Sequence, residues 1–197
     1  MSAVRKATMA DVDRLASALA SAFDDDPVFG YLFPQQNRAK TYAAFFAREL
    51  AKHHLPNDEV WTTEERNGAA LWAPPGKWRQ TNWDTIKSLP SFVRILGRAL
   101  PRAFSALMAV EAAHPPGPHY YLAVLGTEAA AQGKGVGSSV LAPVLERCDR
   151  EGLGAYLESS KEKNIPFYNR HGFEVTRELP LHAGKGPSVW LMWRDPR

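Results

Sequence analysis

Hydrophobic positions along the chain recur at two periods, and the period changes with each predicted element. Val12, Leu15, Leu19 and Phe23 repeat at helical spacing behind Thr8 and Asp11, a capping-box pair. They predict a helix ending near Phe23, with a short strand over 3–7 before it. Tyr42, Phe45, Phe46 and Leu50 share one face of a second helix over 37–54. Two short strands, 59–63 and 69–73, read as a hairpin joined by 64–68. Residues 119–125 are apolar on both alternating faces and predict a buried central strand. Val136, Val140, Leu141, Val144, Leu145 and Cys148 predict a helix ending near Gly152, which Pro143 should kink or deprive of one hydrogen bond. A strand over 155–158, a short helix over 164–170 ended by Gly172, and strands through Phe173–Leu179 and 188–193 complete the pattern.

Between these regions the pattern is irregular. Residues 77–118 hold Trp78, Trp83, Phe92 and Phe104, with breaks at Pro90, Pro101 and Pro115-Pro116. Ile86, Leu89, Phe92, Val93 and Leu96 fit one helix, and Phe104, Leu107, Met108 and Glu111 another. A connection this long is unusual unless it lines a site, although two helices that simply cover a sheet explain each aromatic equally well. No repeat divides the chain, so residues 1–197 are expected to form one domain with a helical insert at 77–113.

Composition narrows the functional classes. The 197 residues are 45% hydrophobic and 23% charged, as in ordinary globular chains. A net charge of +3 spread along the chain argues against a nucleic-acid partner. The single cysteine, Cys148, allows neither an intrachain disulfide nor a multi-cysteine zinc site. No apolar run approaches the ~20 residues a bilayer requires, and residues 1–6 lack the apolar stretch of a signal peptide. A cytoplasmic protein with no membrane partner is expected. Asp24-Asp25-Asp26 is read as a solvated turn rather than a metal site, and His53-His54 as a pairing with the helix dipole, so no metal is expected.

Candidate chemistry centres on Gln132-Gly133-Lys134-Gly135-Val136-Gly137-Ser138, a glycine-rich loop between a strand and a helix. Backbone N–H groups at such a helix start, with glycines that let a ligand approach, make an anion site for a phosphate-bearing molecule. A P-loop fails, because Gly135 follows Lys134 and Glu128 stands five before Gly133. A dinucleotide fingerprint fails at Ser138, and six residues separate Leu125 from Gln132. The pattern [QR]-x-x-G-x-[GA] is met by Gln132, Gly135 and Gly137. With the strand before it, the helix after it, then Asn164, Tyr168 and Gly172-Phe173 in order, the region 118–193 resembles the GNAT superfamily of acetyltransferases. The runs 157–160, 164–168 and 172–176, with 70–75, look most like the branch of puromycin N-acetyltransferase and its relatives.

The resemblance implies a mixed, mostly antiparallel, twisted α/β sheet of about seven strands, helices on both faces and a splayed central strand pair. It implies acetyl-coenzyme A as cosubstrate and direct attack of an amine on its thioester, with no covalent acyl-enzyme. Carried over residue by residue, main-chain groups of Val124 and Leu125 would pair with the pantetheine arm, and loop residues 132–138 would hold the pyrophosphate. Lys134 would add charge or be a solvated loop lysine. Asn164 would hydrogen-bond the arm or cap its helix, and Tyr168 would protonate the leaving thiolate or only pack beside Phe167 and Phe173. Glu158 would take the amine's proton or bind the ammonium, unless it is a surface carboxylate at a strand end. Glu111, His114 and His119 are further candidates for the base. Cys148, at a core position, reads as inert. A wall of Trp72, Trp78, Trp83 and Phe92 would suit an aromatic or bulky small amine, an antibiotic included. Acetylation of a protein N-terminus or lysine, and a non-catalytic acyl-coenzyme A module, are the alternatives. A monomer or homodimer is expected.

Overall fold

The computed structural model describes residues 3–33, 36–79, 93 and 96–197. One seven-stranded sheet organises them, in the order β1-β2-β3-β4-β5-β7-β6. The strands are β1 Val4–Lys6, β2 Val60–Thr63, β3 Gly68–Ala73, β4 Tyr120–Thr127, β5 Ala155–Ser159, β6 Glu174–Pro180 and β7 Ser188–Arg194. Every pairing is antiparallel except β4 with β5. The helices are α1 Val12–Ala22, α2 Pro27–Leu32, α3 Arg38–Glu49, α4 Leu100–Ala113, α5 Val136–Glu151 and α6 Ile165–Arg170. The helix predicted around Ile86 and Leu89, with Trp83, Pro90 and Phe92, lies largely outside the described residues.

Both faces of the central strands are covered, which is why β3 is buried at every position. Ala69 and Leu71 meet Leu15, Leu19, Tyr42 and Phe46 from α1 and α3. Ala70 and Trp72, pointing the other way, meet Val140, Leu141, Val144 and Cys148 of α5. Burial of each large apolar side chain contributes about 1.5–3 kcal/mol, so these two layers hold the centre of the sheet rigid. At Gly126 a Cβ would stand 2.7 Å from Leu19, so only glycine lets α1 lie this close on β4. Helix α5 continues through Pro143, starting after Gly135 and stopping at Gly152, both at positive φ.

Four details depart from the pattern-based expectation. Strand β4 is not fully buried: Tyr121, Ala123, Val124 and Leu125 are partly exposed, because β5 pairs with it only over Tyr120–Leu122 and then diverges. Against β3, Leu71 faces Val124 and Trp72 faces Leu122, so Ala123 is an extra, bulged residue that bends β4 at this point. His54 does not serve the helix dipole. It is buried in a π-helical turn, Leu50–His54, its Nδ1 donating to the Trp72 carbonyl at 3.3 Å, and burial lowers its pKa to about 4. The aspartate turn is not merely solvated either, since Asp26 is buried and its Oδ1 accepts from the Val28 and Phe29 N–H groups at 2.9 and 3.0 Å, capping α2.

Candidate active site

The divergence of β4 from β5 opens a groove of about 790 Å³ that runs from the glycine loop to α4. Its first end is made of backbone. Gly133 and Gly135 have φ of +75° and +82°, a conformation that side chains disfavour, and a Cβ added at either would meet nothing within 4 Å. The glycines are therefore required by chain direction, and they leave the approach to the loop open. Val136, Gly137 and Ser138 form the first turn of α5, where backbone N–H groups have no partner within the helix. Gln132 ties the loop to the end of β4 by donating from Nε2 to the Thr127 carbonyl at 3.2 Å. A Cβ at Gly137 would come 3.2 Å from the Phe167 ring, so this glycine lets α6 pack against the loop.

Helix α6 thereby brings Asn164 and Tyr168 to the groove. Asn164 makes no capping hydrogen bond, so the capping alternative does not describe its side chain. Tyr168 is buried, and burial, with Asp26 nearby, raises its phenol above the usual value, keeping it a protonated donor at ordinary pH. Val124, Leu125 and Glu158 line the groove with Gln132, Gly133 and residues 135–138. Lys134 does not; it is exposed.

Glu158 stands where the two strands part. Tyr121 Oη donates to its Oε2 at 2.8 Å, while its Oε1 is buried without a hydrogen bond. Burial pushes this carboxyl up to about 7, against the opposing effect of the Tyr121 and Tyr156 hydroxyls. A carboxyl titrating near neutrality is suited to accept and return a proton. His114 and His119 stand behind it, with His114 Nδ1 3.8 Å from Oε1, whereas Glu111 is engaged by Arg79 at 3.3 Å. Cys148 is buried on the core face of α5, its thiol pushed up to about 12, so it is no nucleophile.

The far end of the groove corrects the predicted aromatic wall. Trp72 is fully buried in the core beneath α5, and Trp78 stacks on His114 with ring centroids 3.6 Å apart. Trp83 and Phe92 lie outside the described residues. The wall consists instead of Val28, Leu32, Ala106, Val110, Leu181 and Val189, which belong to one apolar cluster with Tyr121 and Tyr156. Sequence reasoning missed these residues, and also Lys161 and Lys163, which both pair with Asp25 at the groove. That pairing lowers the Asp25 carboxyl to about 2. A signal for the tyrosines existed: Tyr156 and Glu158 are two apart on one strand face, and Tyr121 pairs with Tyr156 across the parallel ladder.

Residues 57–173, more than half of the chain, match the acetyltransferase (GNAT) family. The chain belongs to this family. An uncharacterized N-acetyltransferase of Schizosaccharomyces pombe is 27% identical to it, over 98% of this chain and 83% of that one. Among solved structures, a histone acetyltransferase HPA2 and related acetyltransferase of Corynebacterium glutamicum is similar at 28% identity and a TM-score of 0.75, covering 100% of this chain and 98% of that one. Arylalkylamine N-acetyltransferase 2 of Aedes aegypti shares the fold at 12% identity and a TM-score of 0.71, covering 99% of each chain. The GNAT chain described here is an acetyl-CoA-dependent N-acetyltransferase with acetyl-CoA as its cosubstrate. The groove fits that molecule: N–H donors at the loop for a pyrophosphate, and a strand edge on β4 unpaired with β5 beyond Leu122 for an amide-bearing arm. Among the described residues no cluster of three metal-ligating side chains occurs, and no helix is long and apolar enough to cross a membrane.

Proposed function

We propose that the acceptor is a small amine with an apolar body and a single ammonium group. The observation that carries this reading is the far end of the groove, where an apolar wall adjoins the buried carboxyl of Glu158, while the groove's other carboxylates are already engaged, Asp25 by Lys161 and Lys163 and Asp26 by Ser160 and the first N–H groups of α2. A second charge on the acceptor would meet Val28, Leu32, Ala106 or Val110, and its desolvation would go uncompensated. The resemblance of residue runs 157–160, 164–168 and 172–176 to puromycin N-acetyltransferase and its relatives supports the reading, and aromatic amines and antibiotics suit an apolar wall. The chain acts as one GNAT domain, 118–193 holding acetyl-CoA and the described α4 of the 77–113 insert walling the acceptor through Ala106 and Val110. It works in the cytoplasm as a monomer or homodimer, without nucleic acid or membrane partners.

In this mechanism the N–H groups of residues 135–138 hold the pyrophosphate, and main-chain groups of Val124 and Leu125, with Asn164, align the pantetheine arm. Glu158 takes the proton of the bound ammonium, freeing the nitrogen lone pair for direct attack on the thioester. A β4 N–H stabilises the oxyanion as it forms. Tyr168 donates a hydrogen bond to the departing sulfur. Its raised pKa makes full proton transfer uphill, so the phenol yields its proton only as the acetylated nitrogen supplies another. A panel of 2-phenylethylamine, tryptamine, spermidine and a lysine peptide, followed by thiol release, tests the reading. Turnover confined to the two aromatic monoamines is expected, and turnover confined to spermidine or the peptide overturns it.

A further inference from the structure

Behind Glu158 lies a chain of groups whose protons are fixed by geometry. The Gly117 carbonyl can only accept, and it stands 3.0 Å from His119 Nδ1, so that nitrogen carries the proton. His119 Nε2 is then bare, and His114 Nε2, 2.9 Å away, must donate to it. This leaves His114 Nδ1 as a lone pair 3.8 Å from Glu158 Oε1, the buried carboxylate oxygen without a hydrogen-bond partner. Trp78 stacks flat on His114 at 3.6 Å, and Tyr121 and Tyr156 pack edge-on at 4.9 and 4.8 Å, so the ring is held in this orientation.

We propose that His114 is a positioning residue for Glu158: its fixed lone pair accepts the hydrogen bond of the protonated carboxyl and so strengthens the carboxylate as a base. The inference rests on the reading of Glu158 as the group that takes the amine's proton. The N–H bond of the ammonium breaks with its electron pair left on nitrogen. The proton moves to Glu158, whose Oε1 closes the 3.8 Å gap to His114 Nδ1 so that the proton is held as Oε1–H···Nδ1, and it returns to solvent after the product leaves. The proton rests on the carboxyl and not on the ring, because burial and His119 lower His114 to about 4 while Glu158 titrates at about 7. The other groups facing the pair are the Tyr121 and Tyr156 hydroxyls, which oppose the rise of Glu158, and Arg79, which disfavours a charged His114. Arg79 is paired with Glu111, while Glu49 acts on Tyr121 and Arg177 on Tyr156. Trp193 packs on His119.

The test needs no known acceptor. ¹⁵N-histidine NMR of the full chain should show His114 as the Nε2–H form and His119 as the Nδ1–H form. The His114 Nδ1 resonance should move with pH near 7 as Glu158 gains its proton, and this movement should vanish in Glu158→Gln. With 2-phenylethylamine as acceptor, the acid limb of kcat/KM in His114→Phe should shift down by about half a pH unit or more, as expected when one hydrogen bond to the protonated form is removed. A neutral His114 protonated at Nδ1, an Nδ1 resonance indifferent to pH in the wild type, or a His114→Phe profile identical to wild type overturns the proposal. Absence of turnover with the amine would count against the proposed function, while the NMR result decides the role of His114 whether or not that amine is turned over.

Discussion

At the loop end of the groove the lining comes from one short run, Gln132, Gly133 and residues 135–138, with Gly133 and Gly135 at positive φ. At the far end, where we place the acceptor, the lining comes from elements far apart in the chain: Val28 on α2, Val110 on α4, Glu158 on β5 and Val189 on β7. A backbone site is encoded in one short run and tolerates change around it. A side-chain site is assembled by packing, so each wall residue can vary without disturbing the loop. The comparison implies that the two ends can be damaged separately, and the following outcomes test that separation.

The largest effect is expected between the ends. Tyr168→Phe removes one hydroxyl and keeps the ring, and general-acid contributions of this kind amount to ~10²–10⁴-fold in kcat. Acetyl-CoA affinity and melting should stay near wild type; a wild-type kcat in a folded variant would sink the donor role. Gly135→Val forces a β-branched residue to a φ of +82°. Strain of ~1–3 kcal/mol reshapes the loop and should weaken acetyl-CoA by roughly 10–100-fold by calorimetry, with the sheet still folded. At the other end, Val110→Trp fills the bay and should raise the acceptor KM about tenfold, the order expected for a lost apolar fit, while acetyl-CoA affinity is unchanged. Equal losses at both ends from either variant would show that the groove is one cooperative unit.

Two smaller effects concern charge. Folded Glu158 keeps its proton up to about 7, whereas a free glutamate loses it near ~4.3. Between these values the native state binds more protons than the unfolded chain, so stability falls as pH rises, and the deficit is complete above about 7. Glu158→Gln should therefore melt higher than wild type at pH ~8 by ~1–3 kcal/mol and not at pH ~4. Equal melting at both values would show that the carboxyl is solvated. Asp25→Asn releases Lys161 and Lys163, whose pairing is partly exposed. Acetyl-CoA should then bind ~2–3-fold tighter at low salt and no differently at high salt. Unchanged affinity at low salt would show that neither lysine reaches the coenzyme.

The sequence by itself determined the sheet strands, most of the helices and the position of the glycine loop, though not α2. Periodicity located the strands and helices because burial on one face leaves a repeating trace, and the loop was legible because glycines at positive φ cannot be exchanged freely. Tyr168 and Asn164 were singled out by the resemblance to the GNAT superfamily, in which such residues follow the loop in this order, and not by periodicity. The tertiary structure alone decided the acceptor end. It sent Trp72 into the core and Trp78 onto His114, because the face a tryptophan buries depends on which element packs there. It turned Asp26 from a turn residue into a buried cap and set Asp25 against Lys161 and Lys163 from beyond β5. It also gave Glu158 its raised pKa, since desolvation depends on neighbours brought from α4, β4 and β5, and no run of contiguous residues records how deeply a carboxyl will be buried.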